Sequence, residues 1–182
     1  MVVGVVIAII VLIAIYVLVQ YNSFVKLNNR ISEAFSTMDV YLKKRWDLIP
    51  NIVETVKDYA KHESQVLEDI VKLRNSSYDK MSLSDKIETN QQLSGELSKI
   101  MAVAESYPDL KASQNYSDLI NQLSKIEDEI ANSRKYYNAV VRNLNTKVEM
   151  FPSNLIAKMF NFKTLKMFES NETERNNVNV QF

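Results

Sequence analysis

Between Val2 and Val19 the chain reads VVGVVIAIIVLIAIYVLV, with fourteen Val, Ile or Leu in eighteen positions and no charge. Nothing else in the sequence limits the fold as strongly. As a helix rising about 1.5 Å per residue the run is roughly 27 Å long, close to the ~30 Å hydrocarbon core of a bilayer. Its β-branched residues favour a strand in water. In lipid an unsatisfied backbone group costs several kcal/mol, and only a helix satisfies all of them within one segment. A cleaved signal peptide needs a basic stretch before the run and a small-x-small site after it. Neither is present: no basic side chain precedes Val2, and Val17-Leu18-Val19-Gln20-Tyr21 offers no such site. The run is therefore read as an uncleaved anchor, residues 1–20. Lys26 and Arg30 follow it, so the positive-inside rule puts the N-terminus outside and the helical domain in the cytoplasm of a single-pass cell-membrane protein.

The rest of the chain reads as helix. Two glycines and three prolines are too few for the turns of an all-β fold. From Phe24 the apolar residues Phe24, Leu27, Ile31, Phe35, Met38, Leu42 and Trp46 recur every three or four positions, one face of an amphipathic helix. In KKRWDLIPN, Asp47 is a good N-cap and Pro50 then falls in a first turn, where its missing N–H is harmless. A tight helix–helix turn around Arg45 to Leu48 follows; the alternative is one kinked, continuous helix. A second helix carries Ile52, Val56, Tyr59, Val66, Ile70 and Leu73, and a polar loop begins at Asn75. A third, diluted by Gln, Ser and Gly95, starts near Ser84 or Asp85 and ends at Tyr107-Pro108-Asp109. The fourth runs from about Ser113 to Met150, where Pro152 stops it. Four such helices joined by short connections share a core by lying side by side. The expected fold is all-α: a transmembrane helix, then an antiparallel up-down-up-down four-helix bundle over 21–150. A basic amphipathic segment, 151–168, and a disordered tail, 169–182, complete the chain.

The segment FPSNLIAKMFNFKTLKMF, Phe151 to Phe168, holds nine large apolar side chains, three lysines and no acid. With an even number of reversals the fourth helix ends beside the bilayer from which the first emerged. There the apolar set Phe151, Leu155, Ile156, Met159, Phe160, Phe162, Leu165, Met167 and Phe168 could enter the interfacial zone, Phe160 and Phe162 foremost, while Lys158, Lys163 and Lys166 meet anionic headgroups. Alternatively the segment folds back and caps the open end of the bundle. Lys43, Lys44 and Arg45 lie at the far tip, roughly 35–40 Å along the helix and several ~8 Å screening lengths from the bilayer. They read as a solvated surface or a partner contact.

Several stretches, among them Asn29-Arg30, Glu33-Ala34, LKKRWDLIPNIVETVKDYAKHE, YPDLKAS (Tyr107 to Ser113), Tyr137-Asn138 and FPSNLIA (Phe151 to Ala157), resemble the LemA family of bacterial membrane proteins, from about residue 20 to 163. The resemblance implies a short N-terminal anchor carrying a helical bundle, and brings no reaction or cofactor. Where relatives tend to have glycines, this chain has Lys158 and Asn161. That difference argues for a short helix there instead of a sharp turn.

Chemistry is hard to assemble from these residues. Without cysteine there are no disulfides, thiolate metal sites or thiol nucleophiles. The one histidine, His62, cannot form an HExxH pair or the two Glu-x-x-His motifs of a di-iron site. Glu127-Asp128-Glu129 reads as a solvated face. Neither glycine can build a phosphate loop, so no metal, cofactor or small-molecule substrate is expected. Twenty-two basic residues balance twenty-two acidic ones and are dispersed among them, which argues against nucleic acid. The expected role is a non-catalytic membrane-tethered scaffold, with the lipid bilayer and a protein partner or second copy as its contacts. The alternative is an accessory or signal-transduction subunit of a membrane-bound enzyme or transporter.

Overall fold

The computed structural model describes residues 1–60, 63–74 and 78–168. His62 and the tail 169–182 lie outside them. Among the described residues every regular element is helical: α1 (Val2–Tyr59), α2 (Ser64–Arg74), a 3₁₀ turn (Tyr78–Lys80), α3 (Leu83–Glu105), α4 (Pro108–Lys111), α5 (Gln114–Glu149) and α6 (Ser153–Met159). α1 is long and apolar enough to cross a membrane. Its most apolar eighteen-residue window has a mean hydropathy of 3.4, and none of that window is buried against protein.

The expected turn at Arg45 to Leu48 is absent, because α1 runs unbroken through Pro50. Met38, Leu42, Arg45, Ile49, Ile52 and Val56 are all buried and follow one another in steps of four and three. A reversal inside that stripe would throw it out of phase, exposing apolar side chains worth roughly 1.5–3 kcal/mol each. Against this, a proline in a helix interior costs only about 3 kcal/mol for its lost hydrogen bond and ring clash. Asp47 is therefore not a cap. Its carboxylate takes the Lys43 ammonium, one turn back, at 2.6 Å. α1 ends at Tyr59 instead; the Ala60 N–H still bonds to the Val56 carbonyl, and the Glu63 N–H bonds to that of Ala60 at 3.2 Å. Ala60 is fully buried there, whereas Tyr59, expected on the core face, is exposed.

The described residues form two compact units. One contains residues 38–132 together with Phe168. In it Asp39 of α1 pairs with Lys86 of α3, and Arg45 with Asn90 and Ser94, so α3 runs parallel to α1. Thr55 meets Asn115 and Arg45 meets Glu127, so α5 runs antiparallel to α1. α2 packs on α3. The start of α3 is set by a capping box: the Ser82 hydroxyl accepts from the Asp85 N–H, and the Asp85 carboxylate accepts from the Ser82 N–H.

The other unit contains residues 1–37 and 133–167. Phe24, Ile31 and Ala34 of α1 are buried in it, as are Tyr137, Val140, Val141 and Leu144 of α5. Phe35 meets Tyr137 edge-on, with ring centroids 6.2 Å apart. α6 follows α5 after Pro152, where the Ser153 hydroxyl reaches the carbonyls of Lys147 at 2.7 Å and Met150 at 2.9 Å, closing the end of α5.

Candidate functional site

Two constellations stand out, one in each unit. The first contains the segment after α5. At its C-terminus α6 ends in a Schellman turn: the Phe162 N–H bonds to the Ala157 carbonyl at 2.8 Å, the Asn161 N–H to that of Lys158, and Asn161 has φ 60°. The short helix favoured at 158–161 extends only to Met159, and the sharp turn it was expected to replace is present. Asparagine tolerates the left-handed conformation better than other side chains do, so the missing glycine did not remove it.

That turn brings the aromatic rings back to α1. Phe162 stacks on Phe24 with centroids 4.7 Å apart and planes 14° off parallel, and Phe160 packs on Tyr21 at 4.8 Å. The Lys147 ammonium lies 4.9 Å from the centre of the Phe24 ring, and burial pulls its pKa below the usual value for lysine. Beyond the turn the chain is extended and strapped to α5. The Asn145 amide donates to the Leu165 carbonyl and accepts from the Leu165 N–H, each at 2.9 Å, while the Tyr137 hydroxyl donates to the Lys166 carbonyl at 3.3 Å. Lys158, Lys163 and Lys166 keep exposed side chains. The segment thus returns to α1 within five residues of the apolar run. Of the two residues that hold it there, Tyr137 stood out in the Tyr137-Asn138 stretch, whereas Asn145 carried no sequence signal beyond lying on α5.

The second constellation lies around Arg45. It does not share the surface with Lys43 and Lys44, and it is in the middle of a helix instead of at a bundle tip. Its side chain is fully buried. One terminal nitrogen donates to Glu127 at 2.8 Å and to the Ser94 hydroxyl at 2.9 Å; the other donates to the carbonyl and the side-chain oxygen of Asn90. Asn90, also fully buried, donates onward to the Lys86 carbonyl. Lys86 then pairs with Asp39 at 2.7 Å, and Asp39 accepts from the Tyr78 hydroxyl at 2.6 Å. Burial, then the hydrogen bond and charge of Asp39, push the Tyr78 pKa far above its usual 10.0. This chain of contacts ties α1, the 3₁₀ turn, α3 and α5 together, with Trp46 packed on Tyr78 at 5.3 Å. Chemically it is a fixed electrostatic cross-link, with no nucleophile beside a base. Among the described residues no group of three or more carboxylate or imidazole side chains is placed to hold a metal ion.

With this geometry in view, comparison with known proteins places the chain. The model of the LemA family matches residues 34–182. The chain belongs to the LemA family. Protein LemA of Metamycoplasma hominis is 28% identical over 163 residues, covering 87% of this chain and 73% of the relative. Magnetosome protein MamQ 2 of Paramagnetospirillum magneticum is 24% identical over 178 residues, and magnetosome protein MamQ of Magnetospirillum gryphiswaldense 22% over 177. The chain spans 65% of the length of each of these two. None of the three names is that of an enzyme. Membership of the LemA family accounts for the motifs. In this chain DLIPN holds a helix-interior proline preceded by the buried Leu48 and Ile49, and FPSNLIA the Ser153 closure followed by the buried Ile156 and Ala157.

Proposed function

We propose that this LemA-family protein is a non-catalytic, membrane-tethered scaffold whose helical domain is held at the cytoplasmic face of the cell membrane for a protein partner or a second copy. One observation carries the reading: the apolar run and the packed residues Phe24, Ile31 and Ala34 belong to the same uninterrupted helix. A tether with no linker transmits orientation as well as proximity, which a scaffold needs and a soluble enzyme on a leash does not. The relatives named as magnetosome proteins fit such a role, since their names state no reaction. Arg142 and Lys147 line one cleft with Tyr16 and Gln20 and so add positive charge beside the end of the anchor. Together with Lys26 and Arg30 they favour a cytoplasmic domain under the positive-inside rule. Parallel α3 and antiparallel α5 support an up-down-up-down bundle with its first reversal at Ala60–Glu63. Of the basic trio, Lys44 has the side chain most available to a partner.

Two measurements test this. A reporter active only in the cytoplasm, fused after Phe182, gives signal; silence reverses the orientation. The full chain, gently extracted, runs as a homo-oligomer or with a defined stoichiometric partner. A monomer in every detergent, with nothing bound, removes the scaffold.

A further inference from the structure

The end of α5 and α6 leave a set of large apolar side chains in the open. Phe151 is 75% exposed, Met159 68%, Met150 58% and Leu155 57%. Phe151 lies just before α6, and Leu155 and Met159 are one turn apart on one side of it. Its opposite side is buried at Ser153, Ile156 and Ala157. The surface depth of this set follows from α1: Met150, Phe151, Pro152 and Ser153 share a cleft of about 440 Å³ with Tyr16 and Gln20, the last turn of the apolar run. If residues 2–19 fill the hydrocarbon core, Phe151 is at the boundary where acyl chains meet headgroups. Charge agrees, because from Met150 to Phe168 there are three lysines and no carboxylate side chain.

From this we propose that α6 is a second membrane contact, a foot lying in the interfacial layer of the bilayer that α1 crosses. Phe151, Leu155 and Met159 enter the lipid, and Lys158, Lys163 and Lys166 reach anionic headgroups. The inference rests on α1 spanning the membrane. It narrows the lipid contact from the whole apolar set of the segment to Phe151, Leu155 and Met159, while Phe160 and Phe162 instead fix the segment on Tyr21 and Phe24. Water would leave these three unpaid for their exposure, whereas an interfacial helix buries its apolar face about 5–10 Å into the headgroup and acyl boundary. Two attachment points also fix the tilt of the domain above the membrane, which one helix alone leaves free.

The absence of cysteine permits single-cysteine labelling without background. The full chain is reconstituted in vesicles containing anionic lipid, with an environment-sensitive fluorophore at Ile10→Cys, Leu155→Cys, Met159→Cys or Tyr136→Cys. Lipids brominated high on the acyl chain serve as quenchers. The expected result is blue-shifted, quenched emission at positions 10, 155 and 159, and unquenched emission at 136. Quenching at 10 but not at 155 and 159 overturns the foot and leaves the tether standing. A blue shift at 155 and 159 without quenching means that protein covers the face, which also overturns it. No quenching at 10 removes the spanning helix, and the foot with it.

Discussion

Asn161 shows how a left-handed turn is kept where the glycine that usually makes it is absent. Glycine is the usual choice at this left-handed position, and asparagine is the best-tolerated substitute. Asn161→Gly is expected to change stability by no more than about 0.5 kcal/mol, whereas Asn161→Val loses ~1–2 kcal/mol because its branched Cβ clashes at positive φ. Denaturant midpoints of the two variants in detergent decide it. Arg45 gives a sharper contrast. The guanidinium is fully buried, while the Glu127 side chain is 38% exposed. Neutralising Glu127 therefore strands a cation in the core, and removing Arg45 strands only a carboxylate that water reaches. Glu127→Gln is expected to cost about 1–3 kcal/mol, and Arg45→Met less. Equal losses, or the reverse order, would show that packing of the arginine stem outweighs its charge. The tyrosines add a pH signature. Tyr78 has a folded pKa above its unfolded value, so between those values the unfolded chain has lost a proton that the folded chain keeps. Stability is then fully present below pH 10.0 and falls as pH rises beyond it. Tyr116 and Tyr137, also raised by burial, act in the same direction. Tyr78→Phe is expected to flatten, without abolishing, the alkaline decline in melting temperature.

Among the elements, α1 was read correctly as helix and wrongly as two helices. Pro50 and Asp47 are strong local signals for a helix start, and both were outweighed by the phase of the apolar stripe. That phase was visible. Leu42, Ile49, Ile52 and Val56 keep step across the proline once Arg45 is admitted to the core face, and a basic residue directly after two lysines is normally assigned to the surface. Asn90 hid in the same way: it fills the gap between Ile87 and Leu93 in a helix that looked diluted. Buried polar residues that satisfy one another are invisible to a hydrophobic pattern, because each looks like an error until its partner is known. The break at Ala60–Glu63 had no glycine or proline to announce it. By contrast α5 was legible almost to the residue, since its stripe is unbroken and Pro152 ends it. If the packed stripe holds α1 straight despite Pro50, then Pro50→Ala adds a hydrogen bond to the Trp46 carbonyl and removes a ring clash. Allowing for the looser unfolded chain, it stabilises by about 1–2 kcal/mol. A destabilised variant would mean that the chain uses the proline for a local geometry that a regular helix cannot supply.

At the scale of the molecule, the return of the chain to its anchor was foreseen for a partly mistaken reason. The reversal expected at Arg45–Leu48 is absent, yet α5 runs antiparallel to α1 and the segment after it packs on Tyr21 and Phe24. What the sequence could not supply was the side of the segment that faces outward. Its lysines drew attention, while the apolar trio of Phe151, Leu155 and Met159 emerges only once Ile156, Phe160 and Phe162 are seen to be occupied. The consequence concerns height. With one helix containing both the anchor and the residues on which the segment is strapped, the distance from bilayer to foot is set by the number of residues between Val19 and Phe24. Inserting Gln-Ala-Gln-Ala between Val19 and Gln20 adds about 6 Å of polar helix, comparable to the depth an interfacial helix occupies. None of the anchor window is buried, and only its last turn at Tyr16 borders the segment, so the melting temperature in detergent is expected to change little. In vesicles the label at Met159→Cys should then lose its lipid quenching while the label at Ile10→Cys keeps it. Unchanged quenching at 159 would show that the segment reaches lipid independently of the helix that supports it, and the rigid tether would have to be abandoned.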